Sequence, residues 1–504
     1  MALNSVFSWL ITKRIHQMEL FQKYPQEVQT ELILDMIQYA GLTEFGTEHA
    51  FLSIKNIGDF KSAVPVRNYD AFRCYIDRLR EGEQQVLWPS KLKWFAKSSG
   101  TTSDKSKFIP VTKEALEECH YKGGKDMLAL YYANNPNARL YAGKHLVMGG
   151  SSKISPYSRD CYTGDLSAII IKNLPFWVEL RRTPNREIAL LDNWEEKIER
   201  MAEATIAEDV TMLAGVPSWT LVLMRRILQR TGASNIREVW PNLELFVHGG
   251  VSFKPYVDQF KGITGSGINY LQTYNASEGF FGIQDRSGAE DMLLMLDYGI
   301  FYEFMPLEEL GKEYPETLLL DEVELDTNYA LVISTNAGLW RYLIGDTVRF
   351  TSKNPYRIQV SGRTKHFLNT FGEEVIVDNA DSALQHACAM TGALVSDYTV
   401  APIYMTDEEA GAHEWVVEFE REPNSLSGFQ EALDSKLIEI NTDYAAKRSF
   451  DLNMRAPVIR SVPNGTFYAW LKSMGKVGGQ HKVPRLCNDR QYVDAVLRMT
   501  LVHR

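Results

Sequence analysis

Four segments of the chain carry residues whose types could handle a nucleotide. Residues 97–112 read KSSGTTSDKSKFIPVT, a crowd of hydroxyls, glycine and lysine set between the apolar runs Trp94-Phe95-Ala96 and Phe108-Ile109-Pro110-Val111. Glycine lets the backbone approach an anion, amides and hydroxyls donate hydrogen bonds, and lysine adds positive charge, so the run reads as a phosphate loop. A solvated linker would share that composition. His248-Gly249-Gly250 follows the apolar run Leu243 to Val247, residues 274–278 are Tyr-Asn-Ala-Ser-Glu, and residues 341–346 are Arg-Tyr-Leu-Ile-Gly-Asp. Each alone has a plain structural reading: a tight turn, a capped helix start, a Gly-Asp turn. In this order they supply what a nucleotide site needs. Ser98 to Lys107 would cradle phosphates, Gly249-Gly250 and Tyr274 would wall the adenine, Glu278 would hold Mg²⁺, and Asp346 would take the ribose hydroxyls. Mg²⁺ prefers oxygen ligands and commonly takes one or two carboxylates plus phosphates, which fits one acidic residue per role.

These segments need elements to position them. At 504 residues the chain is long for one core, and length alone suggests roughly two to four domains. Residues 4–60 carry helical apolar spacing and read as helices capping the domain ahead of the Ser/Thr loop. From 140 to 335, strand-like runs (Leu146 to Met148, Ala168 to Ile171, Leu243 to Val247) alternate with helical stretches such as Trp194 to Glu208. That alternation predicts an α/β layered domain. A second alternation follows the turn-rich Thr351 to Pro355: strand, helix and strand over 366–400, a strand from Glu414 to Glu420, and a helix from Phe429 to Ile440. The expectation is an α/β fold, with a large layered N-terminal domain over 1–362 and a small, mobile α+β domain over 363–504. A hinge is expected near Ser361-Gly362-Arg363.

Composition narrows the function class. Hydrophobic residues at 45% and charged residues at 23% are ordinary for a soluble globular protein. A net charge of -10 argues against a general nucleic-acid binder, though not against a local basic pocket. Cys74, Cys119, Cys161, Cys388 and Cys487 are scattered without metal-ligand spacing and read as reduced thiols, and the histidines likewise show no ligand pattern. The best uncharged run, Val210 to Met224, is broken by Gly215 and Pro217, so no membrane span is expected. The run Ser5 to Ile11 is too short for a signal peptide and meets Lys13 and Arg14. A cytoplasmic monomer with small-molecule partners is the expectation.

The order and spacing of the four segments resemble the adenylate-forming (ANL) superfamily, and more closely the Gretchen Hagen 3 (GH3) acyl acid–amido synthetases and their bacterial relatives. The resemblance runs along nearly the whole chain through Val64-Pro-Val66, Tyr69-Asp70, Val86-Leu-Trp-Pro89, Gly215-Val-Pro-Ser-Trp219, Lys254-Pro-Tyr256, Tyr302-Glu-Phe-Met-Pro306, Ala337-Gly338 with Arg341-Tyr342, and Gln480-His-Lys-Val-Pro-Arg485. It implies a large adenylate-forming domain, a small C-terminal domain, and a two-step ligase reaction. A carboxylic acid attacks the α-phosphate of ATP to give an acyl-adenylate and pyrophosphate; an amino acid amine then displaces AMP to give an amide. On that resemblance Ser98, Ser99, Thr101, Thr102 and Ser103 cradle the phosphates, with Lys107 adding charge. Gly250, Tyr274, Asn275, Ala276 and Ser277 surround the adenine, and Glu278 serves catalysis through Mg²⁺. Asp346 and Arg363 reach the ribose, and Lys482 arrives from the small domain to neutralise charge as the carboxylate meets phosphate.

Four departures from the plant pattern stand out. Asp104 replaces a usual loop glycine, Leu343 an arginine, and Phe371-Gly-Glu-Glu374 an Asp-Lys pair, resembling the Gly-Glu of the wider superfamily. The helix after the loop reads Tyr121-Lys-Gly-Gly-Lys-Asp-Met127 and lacks an arginine for an acyl carboxylate. Val216, Trp219, His248, Phe280 and Phe281, with Phe176 and Trp177, are candidates for an acyl pocket, each also readable as ordinary core. Lys144 and His145 are candidates for the amino acid's carboxylate. Two rival functions stay open, an acyl-CoA ligase and a non-catalytic nucleotide-binding relative. No Lys/Arg cluster suited to coenzyme A supports the first, and intact Glu278, Asp346 and Lys482 speak against the second.

Overall fold

A computed structural model describes residues 14–98, 107–149, 154–158, 160–174, 176–191, 193–250, 253, 256–265, 267–364, 367–368, 370–371, 373, 375–404, 411–448, 454–474 and 483–502. The chain divides into two compact units. One comprises residues 1–215, 240–250 and 267–360; the other comprises 216–239, 251–266 and 361–504.

The first unit is built on a mixed sheet of eleven strands. Its parallel half comprises Arg182–Thr183, Lys144–Val147, Val210–Gly215, Leu245–Gly249 and Asn269–Ala276, in that spatial order. The sheet then continues through Gly279–Ile283, Met292–Leu294, Tyr356–Arg363, Tyr342–Lys353, Asn328–Thr335 and Ile300–Pro306. Two strands of the parallel half, Val210–Gly215 and Leu245–Gly249, are mainly apolar and mostly buried, as expected where both faces of a parallel sheet are covered. A separate four-stranded sheet orders Lys107–Val111, Trp94–Ser98, Cys161–Gly164 and Ser155–Ser158.

Helices cover residues 14–23, Pro25–Ala40, Glu44–Glu48, Ile57–Ala63 and Tyr69–Arg80 ahead of the loop. Phe45 and Phe60 from these helices, with Phe51 between them, pack against Trp340, and Phe72 stacks on Phe45, all five buried. The Trp340 indole N–H donates to the Leu87 carbonyl at 3.2 Å. Gly338, at φ +84°, brings its Cα where a Cβ would sit 2.8 Å from that same carbonyl oxygen. Two of the sequence motifs, Val86 to Pro89 and Ala337-Gly338, are therefore pieces of one packing contact.

One expected strand is a helix. Ala168 to Ile171 lies within the helix Leu166–Asn173, which packs on the strand Trp94–Ser98. A run of four apolar residues has no period to distinguish a buried helix from a buried strand.

The second unit carries a three-stranded sheet ordered Leu394–Ile403, Ala412–Arg421 and Val458–Val462. The first pair is antiparallel and the second parallel. Helices Val377–Thr391 and Leu426–Ile440 pack together and bury Leu384, Phe429, Leu433 and Leu437 against Trp415 and Val417. Helix Pro217–Thr231, which continues from the parallel half of the large sheet, groups with this unit, as does Val257–Thr264. Within the unit, Arg225 pairs with Glu420, and the Gln259 amide donates to the Val395 carbonyl at 2.8 Å. The α/β fold class is as expected. Among the described residues no helix is long and apolar enough to cross a membrane.

Candidate active site

The Ser/Thr loop connects two antiparallel strands whose pairing ends at Ser98 opposite Lys107. Ser99, Thr101, Thr102, Ser103 and Asp104 lie outside the described residues; the strands holding the loop's two ends do not. The Tyr69 hydroxyl accepts from the Phe108 N–H at 2.8 Å, and the Lys107 ammonium stands 5.8 Å from the Tyr69 ring centroid. Arg80 lies over the Phe108 ring at 3.5 Å. Tyr69, in the Tyr69-Asp70 motif, thus braces the strand that leaves the loop.

Residues 274–278 form a β-hairpin and not a capped helix start. Asn269–Ala276 pairs with Gly279–Ile283, with Ala276 opposite Gly279, so Ser277-Glu278 is a two-residue turn. A two-residue hairpin carries its loop residues at the tip, and Glu278 is half-buried there, with Ser277 buried beside it. Next to this strand runs Leu245–Gly249, so close that a Cβ on Gly249 would lie 2.5 Å from the Thr273 carbonyl oxygen. Gly250 follows at φ +81°, a left-handed backbone that favours glycine.

Asp346 reaches the same hairpin from the other half of the sheet. The Tyr274 hydroxyl donates to Asp346 Oδ2 at 2.7 Å across 72 residues of sequence, and both side chains are buried. What aims Asp346 is a bulge, not a turn. Leu343 pairs with Val332 and Thr347 with Ala330, so Ile344, Gly345 and Asp346 stand opposite Leu331 alone. Gly345 makes the excursion at φ +95°. The residues before the bulge are fixed by Arg341, which also holds a left-handed backbone at φ +45°. The residue is 4% exposed, and its guanidinium bonds both oxygens of buried Glu303, the Thr317 hydroxyl, and the carbonyls of Lys61 and Val64. The Arg67 N–H donates to the Arg341 carbonyl at 3.0 Å and the Leu343 N–H to the Arg67 carbonyl at 2.8 Å, which places the Val64-Pro-Val66 motif beside the Gly-Asp motif.

The histidines near the hairpin are neutral. Burial pushes His248, on the strand Leu245–Gly249, down to about 3. His120 is buried, pushed down to about 4 by its surroundings, and hydrogen-bonded by the side chain of Asn275. Sequence reading passed over His120, which has no motif around it. Burial also pushes the Cys119 thiol up to about 12, so that sulfur is no nucleophile; it accepts the Phe280 N–H at 3.2 Å.

Phe280 and Phe281 are both buried. Phe281 packs against Tyr274 and Tyr302, and Phe280 lies on the helix Tyr121–Asn134, where a Cβ at Gly123 would be 2.6 Å from its ring. That helix carries two basic side chains, Lys122 and Lys125, and no arginine. Lys122 donates to the Asp297 carbonyl at 2.7 Å, and Asp126 pairs with Arg14 at 2.7 Å, which also pairs with Asp297. Lys125 is exposed. Lys144 donates to the Leu180 carbonyl and the buried His145 ring bonds the Leu140 carbonyl, so both candidates for the amino acid's carboxylate are engaged with backbone.

Val216 and Trp219 begin the helix Pro217–Thr231 in the second unit and are partly buried; Arg363 ends the strand Tyr356–Arg363, also partly buried. The side chains of Phe176 and Trp177, and Lys482, lie outside the described residues. In the Phe371 to Glu374 departure, Glu373 is fully buried, accepts from the N–H groups of Thr370 and Phe371, and bonds His413 Nε2 at 2.8 Å. Burial raises its carboxyl, but the bonds from His413 and the backbone outweigh that and hold it below the ordinary carboxylate range. This glutamate is an internal strut.

Among the described residues, no three His, Cys, Asp or Glu side chains converge as a metal cage. A half-buried carboxylate at a hairpin tip suits a Mg²⁺ ion that takes most of its oxygen from phosphate and water.

The indole-3-acetic acid-amido synthetase GH3.3 of Arabidopsis thaliana is 23% identical over 534 residues, covering 91% of this chain and 89% of that relative. The solved structure of GH3.15 acyl acid amido synthetase superposes with a TM-score of 0.79 at 17% identity, covering 97% of this chain and 95% of the other. A 2-hydroxyisobutyryl-CoA ligase in its postadenylation state gives 0.60 at 12% identity, with 94% and 91% covered, and so shares the fold. Family models match in chain order: the GH3 family N-terminal domain over residues 14–268, the central domain over 293–363, and the C-terminal domain over 378–491. With most of its length matched, the chain belongs to the GH3 family.

Proposed function

We propose that this chain is an ATP-dependent acyl acid–amido synthetase that joins a carboxylic acid to an amino acid. The observation that carries the reading is the Tyr274–Asp346 bond, which ties the adenine-side hairpin to a carboxylate aimed by a bulge. A buried, oriented carboxylate is suited to grip a pair of ribose hydroxyls with charge-assisted bonds. Family membership supplies the reaction type.

In the first half-reaction an oxygen of the acid's carboxylate bonds the α-phosphorus of ATP and the bond to pyrophosphate breaks. In the second, a neutral amine bonds the acyl carbon, AMP leaves with its electron pair, and the amine's proton passes to solvent. Ser98, Ser99, Thr101, Thr102, Ser103 and Lys107 hold the phosphates; Gly250, Tyr274, Asn275, Ala276 and Ser277 surround the base; Asp346 and Arg363 take the ribose. Lys482 supplies the positive charge that lets one anion approach another. Glu278 would hold Mg²⁺, whose charge would neutralise phosphate. Val216, Trp219, His248, Phe280 and Phe281 border the acid, His248 as a neutral ring. The enzyme works as a monomer in the cytoplasm, and five free cysteines support that compartment.

The test is pyrophosphate release across a panel of carboxylic acids, repeated with each amino acid as acceptor, with products read by mass spectrometry. An acid-dependent release of pyrophosphate and an amide product are expected. A thioester formed faster with coenzyme A than any amide would overturn the reading.

A further inference from the structure

The Gln480 to Arg485 run ends in a residue that the reaction scheme leaves without a task. Arg485 is bonded by Asp397 through one guanidinium nitrogen, which also donates to the Tyr398 carbonyl at 2.9 Å. The other terminal nitrogen donates to the Tyr256 hydroxyl at 3.2 Å, and the guanidinium lies 4.5 Å from the centroid of the Tyr398 ring. Tyr398 is in turn fixed by its hydroxyl donating to Asp381 at 2.6 Å. Backbone bonds complete the clasp. The Val400 N–H donates to the Arg485 carbonyl at 2.8 Å, the Cys487 N–H to the Val400 carbonyl at 3.1 Å, and the Thr399 hydroxyl to the Pro484 carbonyl at 2.7 Å. The stretch 484–487 is thus laid parallel along the edge of the strand Leu394–Ile403.

We propose that Arg485 is the positioning residue for Lys482, fixing the base of the segment from which that lysine acts. The inference rests on the first-step role proposed for Lys482. A lysine ammonium sits on four rotatable carbons and loses effectiveness unless its backbone is held, and a displacement of about 1 Å at a reacting group can cost on the order of 10²-fold in rate. Arg485 lies three residues beyond Lys482 and carries a planar fork that meets a carboxylate, a carbonyl, a hydroxyl and an aromatic face at once. Lysine at that position would keep the charge for Asp397 but could not keep the fork or the stacking. Tyr256 brings the Lys254-Pro-Tyr256 motif into the same clasp, which gives that motif a reason to accompany the lysine segment.

The experiment separates the half-reactions in the full chain, using the acid that gives the largest pyrophosphate burst in the panel and its chemically prepared adenylate. Arg485→Lys should slow adenylate formation about tenfold or more, with the KM for ATP within about twofold, while the prepared adenylate is converted to amide within about twofold of wild type. Tyr256→Phe removes a single hydroxyl, cannot leave Asp397 unpaired, and should show the same split at roughly threefold; it carries the test if Arg485→Lys does not fold. Equal losses in both half-reactions would make the clasp a structural brace and overturn the proposal, as would wild-type adenylation in both variants. Lys482→Ala is run beside them. Slow adenylation there with wild-type Arg485→Lys removes only the positioning role; unimpaired adenylation in Lys482→Ala removes the lysine's role and this proposal with it.

Discussion

Two arginines fasten motifs in the two units, and they do so differently. Arg341, just ahead of the Asp346 bulge, uses every nitrogen of its guanidinium on Glu303, Thr317 and two backbone carbonyls, with Glu303 itself fully buried. Arg485, just beyond the Lys482 segment, binds at the edge of a three-stranded sheet and keeps 16% of its side chain open. The first is part of the core that makes its unit fold. The second attaches a segment to a sheet that has its own core of Trp415, Val417 and Phe429. The expected lesson is that damage at Arg341 appears as lost stability, whereas damage at Arg485 appears as lost rate.

The comparison breaks most readily at Arg341. Arg341→Ala leaves Glu303 charged, buried and unpaired, and should destabilise the first unit by about 3–5 kcal/mol. Urea unfolding followed by tryptophan fluorescence checks it; a midpoint equal to wild type would remove the distinction between the two arginines. Glu278, at a hairpin tip and in neither clasp, sharpens the contrast from the other side. Glu278→Ala should lose on the order of 10² in adenylation rate with an unchanged urea midpoint. Adenylation near wild type would take Glu278 out of the metal role.

Tyr274→Phe keeps the ring and removes one bond to a carboxylate, about 1.5 kcal/mol or roughly tenfold in ATP affinity. Calorimetry should also show that the variant discriminates less than wild type between ATP and its 2′-deoxy analogue, and that Asp346→Ala weakens ATP more than it weakens the acid. Unchanged nucleotide affinity in both would separate the bulge from the ribose.

The smallest effect is a proton linkage. His120 and His248 titrate in the unfolded chain near 6.5 but only near 4 and 3 in the folded one. Below pH 6.5 the unfolded state therefore binds more protons, so their contribution to stability is complete above that pH and is lost as pH falls toward 4. Each histidine contributes up to about 1.4 kcal/mol per pH unit to that slope. His120→Gln should flatten the pH dependence of the urea midpoint between 6 and 4.5 by one such share; an unaltered slope would place the linkage elsewhere.

Much of this architecture was legible in the sequence because its signals are local. The strand Ala412–Arg421 and the helix Leu426–Ile440 follow period and composition, and the four segments expected to handle a nucleotide stand out by residue type. What was not legible depends on partners distant in sequence. Ser277-Glu278 has the letters of a helix cap, and only the register of Asn275 with Phe280 makes it a hairpin turn. The run Ala168 to Ile171 is apolar enough for either a strand or a helix, and packing on Trp94–Ser98 decides. Nothing near Arg341 points to Glu303, nor anything near Arg485 to Tyr256, because ion pairs across 38 residues and bonds across 229 leave no spacing to read. His120 became visible only through its burial beside Asn275.

The bulge that carries Asp346 also sets a rule for deletions. Three residues stand where a regular ladder would need one, so the excursion is two residues long and the strand resumes with its inward and outward sides unchanged. Removing one residue from Ile344-Gly345-Asp346 would leave two residues opposite Leu331, the count of an ordinary β-bulge, and Thr347 to Lys353 would keep their pairing. Removing Gly345 and Asp346 together would instead let the ladder close flush. The shorter strand would keep its faces in phase, and the outcrop that presents the carboxylate would vanish without a scar on either side.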